Sequence, residues 1–211
     1  MAKAIKSAMT KPIVLLAGGG HASVIADILL RQHYHIEAVV DVCDTLNRRV
    51  FQGLSLINDE QFYARYAPDS ITIANGFGFV PGMTIRKETS EKLLEMGYSF
   101  ETIISHDAVV SEYATIGSGV QILPGAIIQA GVTIGNNSII NTRAVIEHDT
   151  HIGRDSHIAP GAVICGGVTC GEEVFIGANA TLVQNTRIGD RAVVGAAALV
   201  RVNVSSGTTF Y

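Results

Sequence analysis

The sequence has no tryptophan, and aromatic residues make up only 6% of its 211 positions. Charge is scarce as well. Asp, Glu, Lys and Arg account for 16%, and 15 basic residues against 19 acidic ones leave a formal net charge of −4. That balance gives no basic field and argues against a nucleic-acid partner. The three cysteines, Cys43, Cys165 and Cys170, are odd in number and lack metal-type spacing, which excludes a disulfide framework. No apolar run reaches the ~18 residues of a membrane-spanning helix, so no membrane partner is expected. The opening MAKAIKSAMTK is mildly basic but has no apolar stretch behind it, so no secretion signal is read and the cytoplasm is the expected compartment. Residues 1–11 read as a disordered lead-in.

What the chain does contain is small and aliphatic. Hydrophobic residues reach 47%, with 22 glycines and a mean hydropathy of +0.32. Such a chain is too apolar to be disordered. With tryptophan absent and glycine able to form tight corners, the composition suits a repetitive core or a buried subunit interface.

The first half alternates between strand and helix patterns. Ile13–Ala17 reads as a short buried strand, broken by Gly18-Gly19-Gly20. Ala22–Gln32 has Val24, Ile25, Ile28 and Leu29 at helical spacing. Ile36–Asp41 is a second strand, Asn58–Tyr66 a short helix and Ile71–Asn75 a third strand. Gly82–Met96 is a further helix with Ile85, Leu93 and Met96 near one face, and Tyr98–Ile103 a fourth strand. This alternation predicts a small parallel sheet covered by helices, a Rossmann-like domain over 12–103.

The period then changes. Every sixth residue from Ile104 to Val200 is Ile, Val or Leu at 16 of 17 positions, with Cys170 the exception. Two residues before each comes a small or β-branched residue, as at Ala108, Ala114, Val120, Ala126, Val132, Ser138 and Ala144. A period of six is neither helical nor simple alternation. It predicts a parallel β-helix of triangular section over 104–211, three hexads to an 18-residue coil, with the aliphatics stacked inside. Outward aliphatics such as Ile127, Val145 and Val163 could line a subunit contact.

Little in this repeat can titrate, and His148 stands out. It lies two residues past the core Ile146, at an expected outward corner, with Asp149 beside it. An imidazole suits proton transfer near neutrality, and an adjacent carboxylate can fix its tautomer. The alternative for His148 is a solvated corner. His157, nine residues on, belongs near a different corner, as a polar outward residue or a ligand contact. Cys170 replaces a core aliphatic and reads as inert. In the first half, Gly18-Gly19-Gly20-His21 follows a strand and opens a helix, where backbone N–H groups attract phosphate. Asp41 ends the next strand. The third position of a dinucleotide fingerprint is Ser23, and about 90 residues is short for that fold, so a nucleotide-sugar pocket is preferred over NAD. A tight turn without ligand is the other reading of the glycines.

The hexads, the GGGHASVIADIL segment and the IEHDTHIG and HIAPGAVICGG segments together resemble the hexapeptide-repeat acyltransferases. Within them the chain is similar to the bacterial sugar-nucleotide amino N-acetyltransferases, with sialic acid O-acetyltransferases as close relatives. The resemblance spans about residues 12–200. It implies a left-handed coil, a homotrimer, acetyl-CoA as co-substrate and a nucleotide-linked 4-amino-4,6-dideoxy sugar as acceptor, in surface-glycan synthesis. By resemblance His148 is the general base and Asp149 supports it, with direct attack and no acyl-enzyme. His157, Gly166, Ala178 and Ala196 match cofactor contacts. Gly19, Gly20, His21, Asp41, Asn75 and Gly76 match contacts to the nucleotide sugar, and Asn141 lies near the amino sugar or stacks within a turn. No metal is implied. A zinc lyase on the same β-helix would need three histidines, and the spacing of His148, His151 and His157 does not match that pattern. A non-catalytic nucleotide-sugar binder is a third class. The ending SSGTTFY departs from the Gly-x-Pro-Ala-Lys-like finish by which such relatives cover the adenine end of the cofactor, so no cofactor contact past Val200 is carried over from the resemblance.

Overall fold

The computed structural model describes residues 11–43 and 47–211. Of the lead-in read over residues 1–11, residues 1–10 lie outside the described residues. The chain divides between Glu101 and Thr102 into two compact units.

The first unit carries a four-stranded parallel sheet, ordered β3-β2-β1-β4, from β1 (Ile13–Leu16), β2 (Ile36–Val40), β3 (Leu56–Ile57) and β4 (Thr72–Asn75). Among the described residues three α-helices accompany it, α1 (Gly20–Arg31), α2 (Asp59–Arg65) and α3 (Ile85–Glu95), with a 3-10 turn at Arg49–Phe51. In α1 the buried stripe is Ala22, Ile25, Ala26, Ile28 and Leu29, while Val24 faces out. A reciprocal capping box between Asn58 and Gln61 starts α2.

Three details of the sequence reading are corrected. Helix α3 begins at Ile85, and its inner face is Arg86, Ser90 and Leu93; Ile85 and Met96 are exposed. The i, i+4, i+7 spacing of a buried stripe is present, but two of its positions are polar and escape a hydrophobic search. Tyr98–Ile103 is not a strand of the sheet, because only a single bridge joins Ile73 to Phe100. The sheet's fourth member is instead the two-residue β3, too short to show alternation.

The second unit is a left-handed parallel β-helix of eighteen two-residue strands, Ile103–Ile104 to Thr209–Phe210. They stack in three parallel sheets. Face A runs through Thr115–Ile116, Thr133–Ile134, His151–Ile152, Thr169–Cys170 and Arg187–Ile188. Face B includes Gln121–Ile122, Ile139–Ile140, His157–Ile158 and Phe175–Ile176, and face C includes Ile127–Ile128, Val145–Ile146 and Val163–Ile164. Register partners lie one full coil apart, as Val145 with Val163 and Ile146 with Ile164. The second residue of each pair points inward and the residue two before it fills the space beside it. Both sets form one continuous buried cluster. Each enclosed aliphatic contributes about 1.5–3 kcal/mol. Where the small position is polar its hydroxyl is bonded: Ser138 Oγ donates to Gly153 O at 3.0 Å and Thr150 Oγ1 to Cys165 O at 3.2 Å.

The stack continues past the hexads. Ile188 bridges Val204, and Val194 pairs with Phe210, both over a shorter span of chain than the pairings before them, so the last coil is abbreviated. Cys170 is fully buried, and burial pushes its thiol up to about 12, as an inert core position requires.

Candidate active site

The turn that leaves face C places His148 and Asp149 at an edge of the β-helix. Asp149 is in the left-handed region (φ 59°), a conformation that lets the chain turn the corner. His148 Nδ1 donates to Asp149 Oδ2 at 2.9 Å, with the two side chains 66% and 74% exposed. An ionised carboxylate only accepts, so the neutral imidazole carries its proton on Nδ1 and keeps a lone pair on Nε2. That nitrogen rests on Gly166, one coil later. A Cβ built on Gly166 would stand 2.6 Å from Nε2 and 2.7 Å from Cε1 of His148. Glycine is therefore required by close approach of the ring.

An open groove of about 500 Å³ surrounds this edge, lined by His148, Asp149, Cys165, Gly166, Gly167, Gln184 and Asn185. The Gly166 N–H makes no hydrogen bond within the described chain, whereas its carbonyl accepts from Asn185 N at 3.1 Å. The groove thus combines a free imidazole lone pair, an unused amide donor and a wall of backbone.

The other candidates of this unit lie elsewhere on it. His157 sits on face B, 8% exposed, its Nε2 bonded to Asn141 Nδ2 at 3.0 Å and its ring edge-on to Phe175 at 5.3 Å. Asn141 also accepts from the Thr142 N–H through Oδ1 at 2.7 Å. Ala178 and Ala196 stack one coil apart at the turn leaving face B, with the Ala197 N–H donating to Ala178 O at 2.8 Å. Neither His157 nor this alanine pair lines the His148 groove. His151 projects from face A. Among the described residues no three His, Cys, Asp or Glu side chains are grouped to hold a metal ion.

In the first unit the glycines lie as expected at the junction of β1 and α1. Gly19 is the N-cap of α1 and carries no side-chain cap, and Gly19 and Gly20 are both exposed there. Asp41 is committed to shaping this turn. Its Oδ2 accepts from the Gly18 N–H at 2.5 Å and its Oδ1 from the Cys43 N–H at 2.8 Å. Burial acts to raise its carboxyl, but these donated amides outweigh burial and hold it below the ordinary value. Asn75 is buried, donating to Ser90 Oγ at 2.8 Å and accepting from the Phe77 N–H at 3.0 Å. Gly76 is where β4 passes closest to α1, since a Cβ there would collide with Leu16 O and stand 2.6 Å from Ala22 Cβ. His21 packs over Gly78, at 3.5 Å from the position of a Cβ there.

Residues 107–146 and 131–166 match the model of the bacterial transferase hexapeptide (six repeats), and residues 167–200 match that of the hexapeptide repeat of succinyl-transferase. No curated protein sequence matches the chain. Among solved structures, a histidine variant of perosamine N-acetyltransferase from Caulobacter crescentus, in complex with CoA and GDP-perosamine, is 29% identical over 94% of this chain and 92% of that one, with a TM-score of 0.84. The acetyltransferase domain of PglB from Neisseria gonorrhoeae, in complex with acetyl coenzyme A, is 27% identical over 95% of both chains, also at 0.84. Together these matches support a hexapeptide-repeat acyltransferase of the sugar N-acetyltransferase type. WeeI from Acinetobacter baumannii, 21% identical over 95% of this chain with a TM-score of 0.83, shares the fold.

Two side chains of this acyltransferase escaped the sequence reading. Arg48 brings Nη2 to 3.8 Å from a Cβ position on Gly20, so a guanidinium stands by the N-terminus of α1. Arg86, only 4% exposed, donates through Nη1 to the carbonyls of Asn75 (3.1 Å) and Phe77 (2.7 Å) and so fixes the segment after β4. Neither has a sequence signal beyond its charge. The acyltransferase's groove neighbours Cys165, Gln184 and Asn185 did have one, the 18-residue coil applied to His148 and its flanks.

Proposed function

We propose that this acyltransferase moves the acetyl group of acetyl-CoA onto the amine of a nucleotide-linked 4-amino-4,6-dideoxy sugar. The observation that carries the reading is the His148 imidazole, with Nδ1 tied to Asp149 and Nε2 free at a groove next to an unused amide. Amide synthesis from a thioester needs a base for the amine proton and a donor for the developing oxyanion. His148 Nε2 takes the proton as the nitrogen bonds to the acetyl carbon. The Gly166 N–H donates to the carbonyl oxygen. When the carbon–sulfur bond breaks, His148 returns the proton to the departing thiolate. Asp149 keeps the Nδ1 proton in place throughout and faces the imidazolium while it exists.

Pantetheine is a chain of amides, and the glycine-rich wall of the groove offers backbone groups to match it. The nucleotide sugar belongs to the first unit, where the N-terminus of α1 and the Arg48 guanidinium suit its phosphates. Face C presents Val109, Ile127, Val145, Val163, Thr181 and Leu199 in one outward ladder, apolar but for Thr181, of which Val109 and Leu199 are exposed. A homotrimer would cover this ladder, and His157, Ala178 and Ala196 of the partner subunit would then complete the groove. The cytoplasm, where both substrates are made, is the compartment that fits.

The deciding experiment supplies acetyl-CoA with UDP-, GDP- and dTDP-linked 4-amino-4,6-dideoxy sugars, and with sialic acid as the hydroxyl acceptor. Thiol release with one amine sugar and none with sialic acid is expected. Release with sialic acid alone would overturn amine transfer in favour of O-acetylation, and ligand binding with no release would leave a binder without chemistry.

A further inference from the structure

We propose that Gly131 is a positioning residue for the His148–Asp149 pair, acting by the absence of its side chain. The inference rests on His148 being the acetyl-transfer base. The turn leaving face C recurs once in every coil. Its left-handed position is held in successive coils by Gly131 (φ 75°), Asp149 (φ 59°), Gly167 (φ 68°) and Asn185 (φ 62°). Glycine alternates with Asp or Asn along this one edge.

Each Asp or Asn leans back over the glycine one coil earlier. A Cβ on Gly131 would stand 2.5 Å from Asp149 Oδ1, and one on Gly167 would collide with Asn185 Oδ1. With Oδ1 lodged over Gly131, Oδ2 is turned to His148 Nδ1 at 2.9 Å. The space over Gly131 therefore sets the rotamer that holds the imidazole.

The turn leaving face A provides the comparison. There Asn137 (φ 60°) lies one coil before Asp155 (φ 54°), in the same backbone conformation. The earlier residue carries an amide, and Asn137 Nδ2 donates to Asp155 Oδ1 at 2.6 Å. A carboxylate at such a corner is drawn to the coil before it when a donor is offered. Gly131 offers none, and Asp149 is left to His148.

Gly131→Asn is the direct test, because Asn already occupies left-handed corners at 137, 179 and 185 and the backbone accepts it. The new amide should capture the Asp149 carboxylate. With acetyl-CoA and the amine sugar that the unaltered protein accepts, kcat should fall about 10²-fold, the scale of a 1 Å misplacement in an active site. KM for acetyl-CoA and the melting temperature should stay close to those of the unaltered protein. In an Asp149→Ala background the same substitution should cost nothing further. Gly125→Asn, at φ 73° under Arg143, controls for the corner itself and should keep full kcat. Nitrogen-15 NMR of the His148 ring gives a readout without turnover, with the bonded Nδ1–H signal lost in Gly131→Asn. A folded Gly131→Asn with kcat within twofold and the Nδ1–H signal kept would overturn the proposal, as would an equal loss in the Asp149→Ala background. Should the Asn variant fail to fold, Gly131→Ala carries the same Cβ and is read in the same way. If Asp149→Ala alone left kcat intact, the supporting role of Asp149 would fail and with it the effect of Gly131 on turnover, while the ring signal would still report whether Gly131 places the carboxylate.

Discussion

Replacing Gly166 by alanine perturbs the candidate base without touching any titratable group. The backbone there is not in the left-handed region, so the substitution carries no conformational penalty. Its methyl would stand 2.6 Å from His148 Nε2, whereas ordinary contacts begin near 3.4 Å, so the ring must withdraw by at least about 0.8 Å. A displacement of that size costs about 10²-fold in kcat, or about 2.7 kcal/mol of transition-state stabilisation. The Gly166 N–H survives the change, so the loss reports on ring placement and not on the oxyanion donor. The assay is continuous thiol detection under saturating acetyl-CoA and amine sugar, with melting curves to confirm the fold. The KM for the nucleotide sugar should barely move. A folded Gly166→Ala protein with kcat within twofold of the parent would refute the placement of Nε2 against this glycine.

Cys165 lines the groove, so acetyl-CoA should protect it from iodoacetamide; peptide mass spectrometry should show exposed Cys43 labelled regardless and buried Cys170 unlabelled. Equal labelling of Cys165 with and without acetyl-CoA would place the donor elsewhere. Asp41 is held below its ordinary carboxyl value in the folded state, so its contribution to stability is complete above about pH 4 and is lost as pH falls through the folded value. Asp41→Asn should accordingly flatten the acid side of a urea-stability profile below about pH 4, and an unchanged profile would contradict the amide bonds assigned to it. Arg86→Ala removes a buried charged donor from two carbonyls and should cost about 2–3 kcal/mol in urea unfolding of the first unit. An unfolding midpoint indistinguishable from that of the unaltered protein would mean that the segment after β4 is held by other contacts.

The β-helix was legible because its signal is local and repeated: one aliphatic every six residues with no insertion. The break came where the rhythm ended, at the short last coil that sets Val204 and Phe210 against Ile188 and Val194. The first unit was read less well for two reasons. Strand β3 has only two residues, and α3 buries Arg86 and Ser90, which pay for their place through hydrogen bonds to β4 and the segment after it, a compensation between positions 11 and 15 apart in sequence. His148 and Asp149 stood out by chemistry on an apolar repeat. Their surroundings needed the coil length used as a ruler, since Gly166 lies one coil after His148 and Gly131 one coil before Asp149. Asp41 shows the opposite case: its position was anticipated, but its carboxylate serves the glycine turn itself.

The most direct measurement is steady-state turnover of His148→Gln beside the unaltered protein, with acetyl-CoA affinity followed by calorimetry on both. Glutamine keeps bulk and polarity at the corner but cannot accept the amine proton. The expected result is a fall in kcat of about 10²- to 10⁴-fold with acetyl-CoA binding retained. Turnover equal to that of the unaltered protein would contradict the assignment of the imidazole as the base.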